Sequence, residues 1–198
     1  MVKEIYSRRS IRRFLATPVD KGVIEQIVAA GIKAPSAKNR QPWRFVVVCG
    51  DAKARMLDAM QCGVAKEECG RGILGNSARH LAATRHTLRI MAQAPVIVFV
   101  LNVLGHSLYE DMSVEQKVYD RANMESIGAC IQNMLLEAQG LGLGSLWICD
   151  VFFAYDDLSA WLGCEGEMVA AVAIGYPDQQ PKARPRRSLD EKVEWRLE

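Results

Sequence analysis

No apolar run in this chain reaches the roughly 20 residues needed to cross a bilayer, so no membrane span is expected. Histidine is scarce: His80, His86 and His106 are the only three. None stands at a metal-ligand spacing from a cysteine, and no C-x-x-C pair occurs, so no metal site is expected. All three histidines read as surface or helix-face residues. A surplus of one charge is lacking as well. Lys and Arg number 25 against 23 Asp and Glu, a net +2. That is too little to favour nucleic acid across the whole surface, so anion recognition must come from local clusters. The N-terminal segment MVKEIYSRRSIRRF lacks an apolar h-region, which argues against a secretory signal. Glu4 within it argues against a mitochondrial presequence. A cytoplasmic protein with reduced thiols is expected. Cys49, Cys62, Cys69, Cys130 and Cys164 then read as small core residues. Cys149 is the exception, a candidate redox thiol.

What is present is an ordinary globular balance, 49% hydrophobic and 24% charged over 198 residues. One domain spanning 1–198 is expected. A short helix over about Lys3–Ser7 is followed by one capped by Asp20 and running to about Lys33. Arg44–Gly50 is short and β-branched and reads as a buried strand. A helix over Asp51–Gln61 gives way to an irregular, glycine-rich stretch, Cys62–Asn76. Helix returns over Ser77–Gln93, and Pro95–Val103 is a second buried strand. Gly105–Val118 reads as a polar loop. Arg121–Leu141 is the strongest helix, with Ile127, Ile131, Met134, Leu135 and Ala138 on one face. Strand Gly144–Cys149, helix Ala154–Leu162 and strand Glu167–Gly175 complete an α+β pattern. It predicts a mixed central sheet with helices on both faces. The tail from Tyr176 to Glu198 is rich in proline and arginine. Its Trp195 and Leu197 have no evident place on their own chain, so it is expected to dock on a partner subunit.

Four segments carry hydrogen-bonding and charged groups in unusual density. Arg8-Arg9-Ser10-Ile11-Arg12-Arg13-Phe14 offers guanidinium forks suited to phosphate or to ring acceptors. Ala34-Pro35-Ser36-Ala37-Lys38-Asn39-Arg40-Gln41-Pro42-Trp43 is a turn-rich loop that can present Ser, Asn and Gln groups to a flat polar ligand. Trp43 is expected to pack beneath it. Gly140-Leu141-Gly142-Leu143-Gly144-Ser145-Leu146-Trp147-Ile148-Cys149-Asp150 lets backbone pass close to a neighbour. Pro181-Lys182-Ala183-Arg184-Pro185-Arg186-Arg187 is a cationic stretch stiffened by proline. Tyr109, Tyr119 and Trp147 are open to a substrate contact but read first as core aromatics.

RRSIRRF, APSAKNRQPWRFVVV, QNMLLEAQGLGLGSLWI and AIGYP with its basic tail, in that order and over nearly the whole chain, resemble the FMN-binding nitroreductase family. The resemblance implies a homodimer with two FMN sites built across its interface and a tail exchanged between subunits. It assigns Arg8 and Ser10 to the flavin's ribityl phosphate and polar side, with Arg9 acting through its backbone. Arg12 is assigned to the pyrimidine edge of the ring, as an electrostatic stabiliser of the reduced form. Pro35, Ser36, Ala37, Asn39 and Gln41 line the ring and ribityl chain from the other subunit. Ile148, Cys149 and Asp150 bring backbone near flavin N5; relatives with a glutamate-glycine pair there differ from this chain. Lys182 and Arg184, with Arg186 a rival, complete the phosphate site. Residues from about 62 to 90 form a segment that shapes substrate access.

The activity implied is transfer of hydride from NADH or NADPH through the flavin to an electron-poor small molecule, such as a nitroaromatic, quinone or free flavin, by a ping-pong mechanism. No nucleophile or general base of the protein's own is required. The alternatives are a different redox reaction on the same fold (reductive dehalogenation, substrate dehydrogenation or flavin consumption) and a non-catalytic FMN carrier or sensor. Gly70-Arg71-Gly72-Ile73-Leu74-Gly75 matches G-x-G-x-x-G. However, VAKEEC before it is no buried strand, and no acidic residue follows about 20 positions later, so a dinucleotide fold is not expected. A flexible loop is expected there.

Overall fold

The computed structural model describes residues 1–74, 78–163 and 165–197. Gly75 of the glycine motif, the expected helix start at Ser77, Cys164 and the terminal Glu198 lie outside the described residues. Among the described residues, six α-helices and four strands follow in the order α1 (Lys3–Ser7), α2 (Lys21–Ile32), β1 (Trp43–Cys49), α3 (Ala52–Glu68), α4 (Leu81–Gln93), β2 (Val96–Asn102), α5 (Val114–Gly140), β3 (Gly144–Ile148), α6 (Tyr155–Leu162) and β4 (Glu167–Gly175). The strands lie in the order β1-β2-β4-β3, each antiparallel to its neighbour. A parallel element enters at the outer edge of β3, where Ser10 bridges Ser145.

Alternation along the central strands sorts the core into two layers. Ile97, Phe99 and Leu101 of β2 face Met56, Met60, Ile90, Met91 and Leu158 from α3, α4 and α6. Val96, Val98 and Val100 face Ile24 and Ile27 of α2 and Ile127, Ile131 and Met134 of α5. Every residue of β2 is buried, as a strand covered on both faces must be. The expectation of helices on both faces is met. No helix of the described residues is long and apolar enough to cross a membrane.

Several local expectations are corrected. β1 is an edge strand, not a buried one: β2 is its sheet partner, only Trp43 and Val48 are buried, and Val47 is 43% exposed. β-branching marks a strand without saying which edge it occupies. α3 runs on through Cys62 and Gly63 to Glu68, where an irregular stretch was expected. Gly63 does not break the helix but admits a close neighbour, since a Cβ there would lie 2.3 Å from Ala154 Cα. α5 starts at Val114, inside the expected polar loop. Ser113 and Gln116 form a capping box, each side chain bonded to the other's backbone N–H. Of the described cysteines only Cys130 is buried, and Cys49, Cys62, Cys69 and Cys149 are exposed. They sit at the end of an edge strand, on outward helix faces and beyond β3. Tyr109, Tyr119 and Trp147 are likewise exposed rather than core. Trp43 is buried as expected, in the layer with α2 and α5.

Candidate functional site

The arginine segment leaves α1 at Arg8, whose extended backbone (φ −55°, ψ 134°) turns the chain toward the sheet. Ile11 N donates to Ser145 O at 3.0 Å. The Ile11 side chain then covers Gly144, where a Cβ would lie only 2.7 Å from Ile11 Cγ1. A glycine is therefore required for the segment to lie against β3. Three residues on, Phe14 is buried and bridges Pro177. Leu15 N donates to Tyr176 O, and Asp178 N to Arg13 O, each at 2.9 Å. Arg13 Nη2 adds a 2.7 Å bond to Asp178 O. This stitching brings the basic tail against the arginine segment.

Between them lies a cavity of about 340 Å³. Arg8, Arg9, Arg12, Lys182, Arg184 and Arg186 line it together with Ser10, and among the described residues no carboxylate does. Burial first, and then the charges of Arg186 and Arg9, lower the pKa of the Arg8 guanidinium. That is the signature of a cation held among like charges. Arg9 turns its guanidinium back onto the Tyr6 and Arg8 carbonyls, both at 2.8 Å. Arg186, left open by the sequence, lines the cavity alongside Arg184. The donor set fits a multiply charged phosphate.

Arg12 also lines a second cavity, of about 360 Å³, whose other walls are the end of β3 with Ile148, Cys149 and Asp150, and α4 with Ala83, His86, Thr87 and Ile90. One arginine thus stands between two chambers. The Thr87 hydroxyl donates a short hydrogen bond to Asp150 Oδ2 and ties α4 to the turn after β3. The sequence reading did not assign Thr87 or His86 to the site. Their signal is helical spacing: 83, 86–87 and 90 fall on one face of α4. The Cys149 thiol has its pKa raised by burial and by the neighbouring Asp150 charge, against a lowering hydrogen bond from Trp147. A nucleophilic thiolate is favoured by the opposite shift.

The loop after α2 stands apart. Pro35, Ser36, Ala37, Asn39 and Gln41 line neither cavity of their own chain. Lys38, Asn39 and Gln41 hold φ of 53°, 52° and 48°, a left-handed backbone costing on the order of 1–2 kcal/mol per residue. It is held by specific bonds. Gln41 N donates to Ser36 Oγ at 3.0 Å, and Ala37 N to Ser126 Oγ on α5 at 3.3 Å. Ser126 Oγ donates in turn to Ala122 O. Such accumulated strain marks a loop whose shape matters.

Away from both cavities, Glu167 at the start of β4 is 5% exposed. Its pKa is raised by burial, against a hydrogen bond from Tyr155, with the Asp120 charge raising it further. No group of three or more His, Cys, Asp or Glu among the described residues could hold a metal.

The model of the nitroreductase family matches residues 5–176. A Thermus thermophilus protein named NADH dehydrogenase is 31% identical over 96% of this chain and 92% of its own length. A 5,6-dimethylbenzimidazole synthase from Rhodospirillum rubrum is 28% identical over 87% and 80%. Among solved structures, a nitroreductase-type protein in complex with FMN from Desulfovibrio desulfuricans superposes with a TM-score of 0.71. It is 30% identical and covers 97% of this chain and 94% of its own.

Proposed function

The chain belongs to the nitroreductase family, and from that premise we propose that it is an FMN-dependent oxidoreductase. The observation that carries the reading is the cavity where six cationic side chains converge without a carboxylate among the described residues. Such a cradle matches a phosphomonoester dianion, the only strongly charged part of FMN. Arg8, Ser10, Lys182, Arg184 and Arg186 hold that phosphate, and Arg9 supports them through its backbone. Arg12, between the chambers, faces the pyrimidine edge of the ring and stabilises the negative charge of the reduced form. The backbone from Ile148 to Asp150 lies along the ring. When bound, FMN supplies the hydride chemistry, accepting from NADH or NADPH and passing to an electron-poor small molecule in ping-pong order.

The reading includes a cytoplasmic homodimer. Loop residues Pro35, Ser36, Ala37, Asn39 and Gln41 of a second copy close the ring side of each site. The exposed edge of β1 and the exposed Leu189, Trp195 and Leu197 of the tail support an exchange of tails between subunits. The segment from about 62 to 90, which includes the cavity wall of α4, shapes acceptor access.

The test is the visible spectrum of the purified protein before and after NADH or NADPH under anaerobic conditions. A yellow protein bleached by a nicotinamide supports the proposal. A colourless protein that ignores FMN in titration calorimetry overturns it. The resemblance to the Rhodospirillum rubrum synthase favours a second reading, a different reaction on the same site. A bound flavin that neither donor bleaches selects that reading.

A further inference from the structure

The strained loop between α2 and β1 directs two cations at one ring. Lys38 Nζ lies 5.8 Å from the centroid of Tyr119, and Arg40 Cζ lies 5.1 Å from it. Tyr119, on the first half of α5, is 40% exposed. Neither cation joins an ion pair among the described residues. Attraction to the ring face draws both charges in, while they repel each other. An anion bound beside both offsets that repulsion. The adjoining ring gives a heteroaromatic base a face to stack on.

We propose that Lys38 and Arg40, gathered over Tyr119, bind the 2′-phosphate of NADPH and make it the preferred electron donor. The proposal rests on the flavin reading above and deepens it. Two cations drawn to one ring suit a phosphomonoester, which concentrates two charges on one phosphorus. The pyrophosphate common to NADH and NADPH carries one charge on each of two. NADPH differs from NADH by one such phosphomonoester, attached to the adenosine whose base the ring of Tyr119 can meet. Asn39, assigned to the flavin, lies between the two cations in sequence, so they stand beside the place where the donor must dock. The backbone bonds at Ser36, Ala37 and Gln41 fix the loop before the ligand arrives, which lowers the ordering cost of binding.

The experiment compares the FMN-loaded protein with its Lys38→Gln/Arg40→Gln variant. In the unaltered protein, kcat/KM for NADPH exceeds that for NADH by about tenfold, the value of one charged hydrogen bond. In the double variant, NADPH efficiency falls by about tenfold or more through KM. NADH efficiency changes by less than about twofold, and flavin content is kept. Titration calorimetry with adenosine 2′,5′-bisphosphate shows binding to the unaltered protein that the variant loses. Equal losses with both donors assign the cations to the pyrophosphate and overturn the proposal. Loss of flavin assigns them to the flavin phosphate and overturns it as well, as do unchanged NADPH kinetics. The calorimetric titration requires no flavin. If the protein proves colourless the flavin reading falls, and the isotherm still decides for or against the cation pair.

Discussion

Replacing Gly144 by alanine tests how the arginine segment is held to the sheet. The new Cβ would lie 2.7 Å from Ile11 Cγ1 and 2.9 Å from both Ile11 Cβ and Cγ2. Those distances are well inside van der Waals contact, so either Ile11 or β3 must yield. Gly144 is not among the positive-φ residues, which leaves steric crowding as the whole effect. Overpacking of this kind costs about 1–3 kcal/mol. For a chain of this length that lowers Tm by about 2–12 °C. Because Ser10 and Arg12 flank Ile11, the displacement also spreads the cationic cradle, and FMN affinity falls with stability. Ile11→Ala alone costs about 2–5 kcal/mol by leaving a cavity. It removes both crowded γ carbons, so the double variant loses less than the sum of the two, with a coupling of about 1 kcal/mol. Thermal unfolding by circular dichroism and FMN titration calorimetry read the four proteins of the cycle. Strict additivity, or a Gly144→Ala protein with unchanged Tm and FMN affinity, refutes the reasoning.

Three further outcomes follow from the site and the core. Arg8→Ala removes a phosphate partner worth about 1.5–3 kcal/mol and weakens FMN binding about ten- to hundredfold; the flavin retained through gel filtration measures it. Arg12→Ala withdraws a cation from the reduced ring. A loss of about 1.4 kcal/mol lowers the two-electron midpoint potential by about 30 mV, read by dye-linked spectroelectrochemistry. Glu167, whose pKa burial raises in the folded protein, disfavours folding once pH rises past the ordinary carboxylate range. Its contribution is fully favourable only below the unfolded value. Glu167→Gln therefore raises Tm relative to the unaltered protein at pH 8, and the gain disappears near pH 4. A gain that persists at low pH would place its origin elsewhere.

The sheet was legible in the sequence because period and branching mark strands directly: all four begin and end within two residues of expectation. Gly63 was not. A glycine in a helix reads the same whether it breaks the helix or lets Ala154 approach, and only the neighbour decides. Ser113 and Gln116 carry a readable helix start, the S-x-x-Q spacing, set in a polar stretch whose composition reads as loop. The arginine segment and the basic tail were each recognisable as cationic. Their meeting depends on the contact of Phe14 with Pro177, which pairs positions no local pattern connects. Arg12 as a wall of two chambers, and the contribution of α4 through Thr87, likewise exist only once the helix is laid beside β3. The 35–41 loop lies apart from both cavities of its own chain, which no local pattern reveals.

The stitching of Arg13–Leu15 to Tyr176–Asp178 sets a timetable for biogenesis. Its two halves are 165 residues apart at Arg13 and Asp178, so the first emerges from the ribosome long before the second has been translated. A nascent polypeptide can assemble helices, and even part of the sheet, while its anion cradle still lacks one wall. If the cradle holds FMN as proposed, cofactor capture waits for translation of the tail, and proteolytic clipping just after Tyr176 removes that wall and weakens FMN retention.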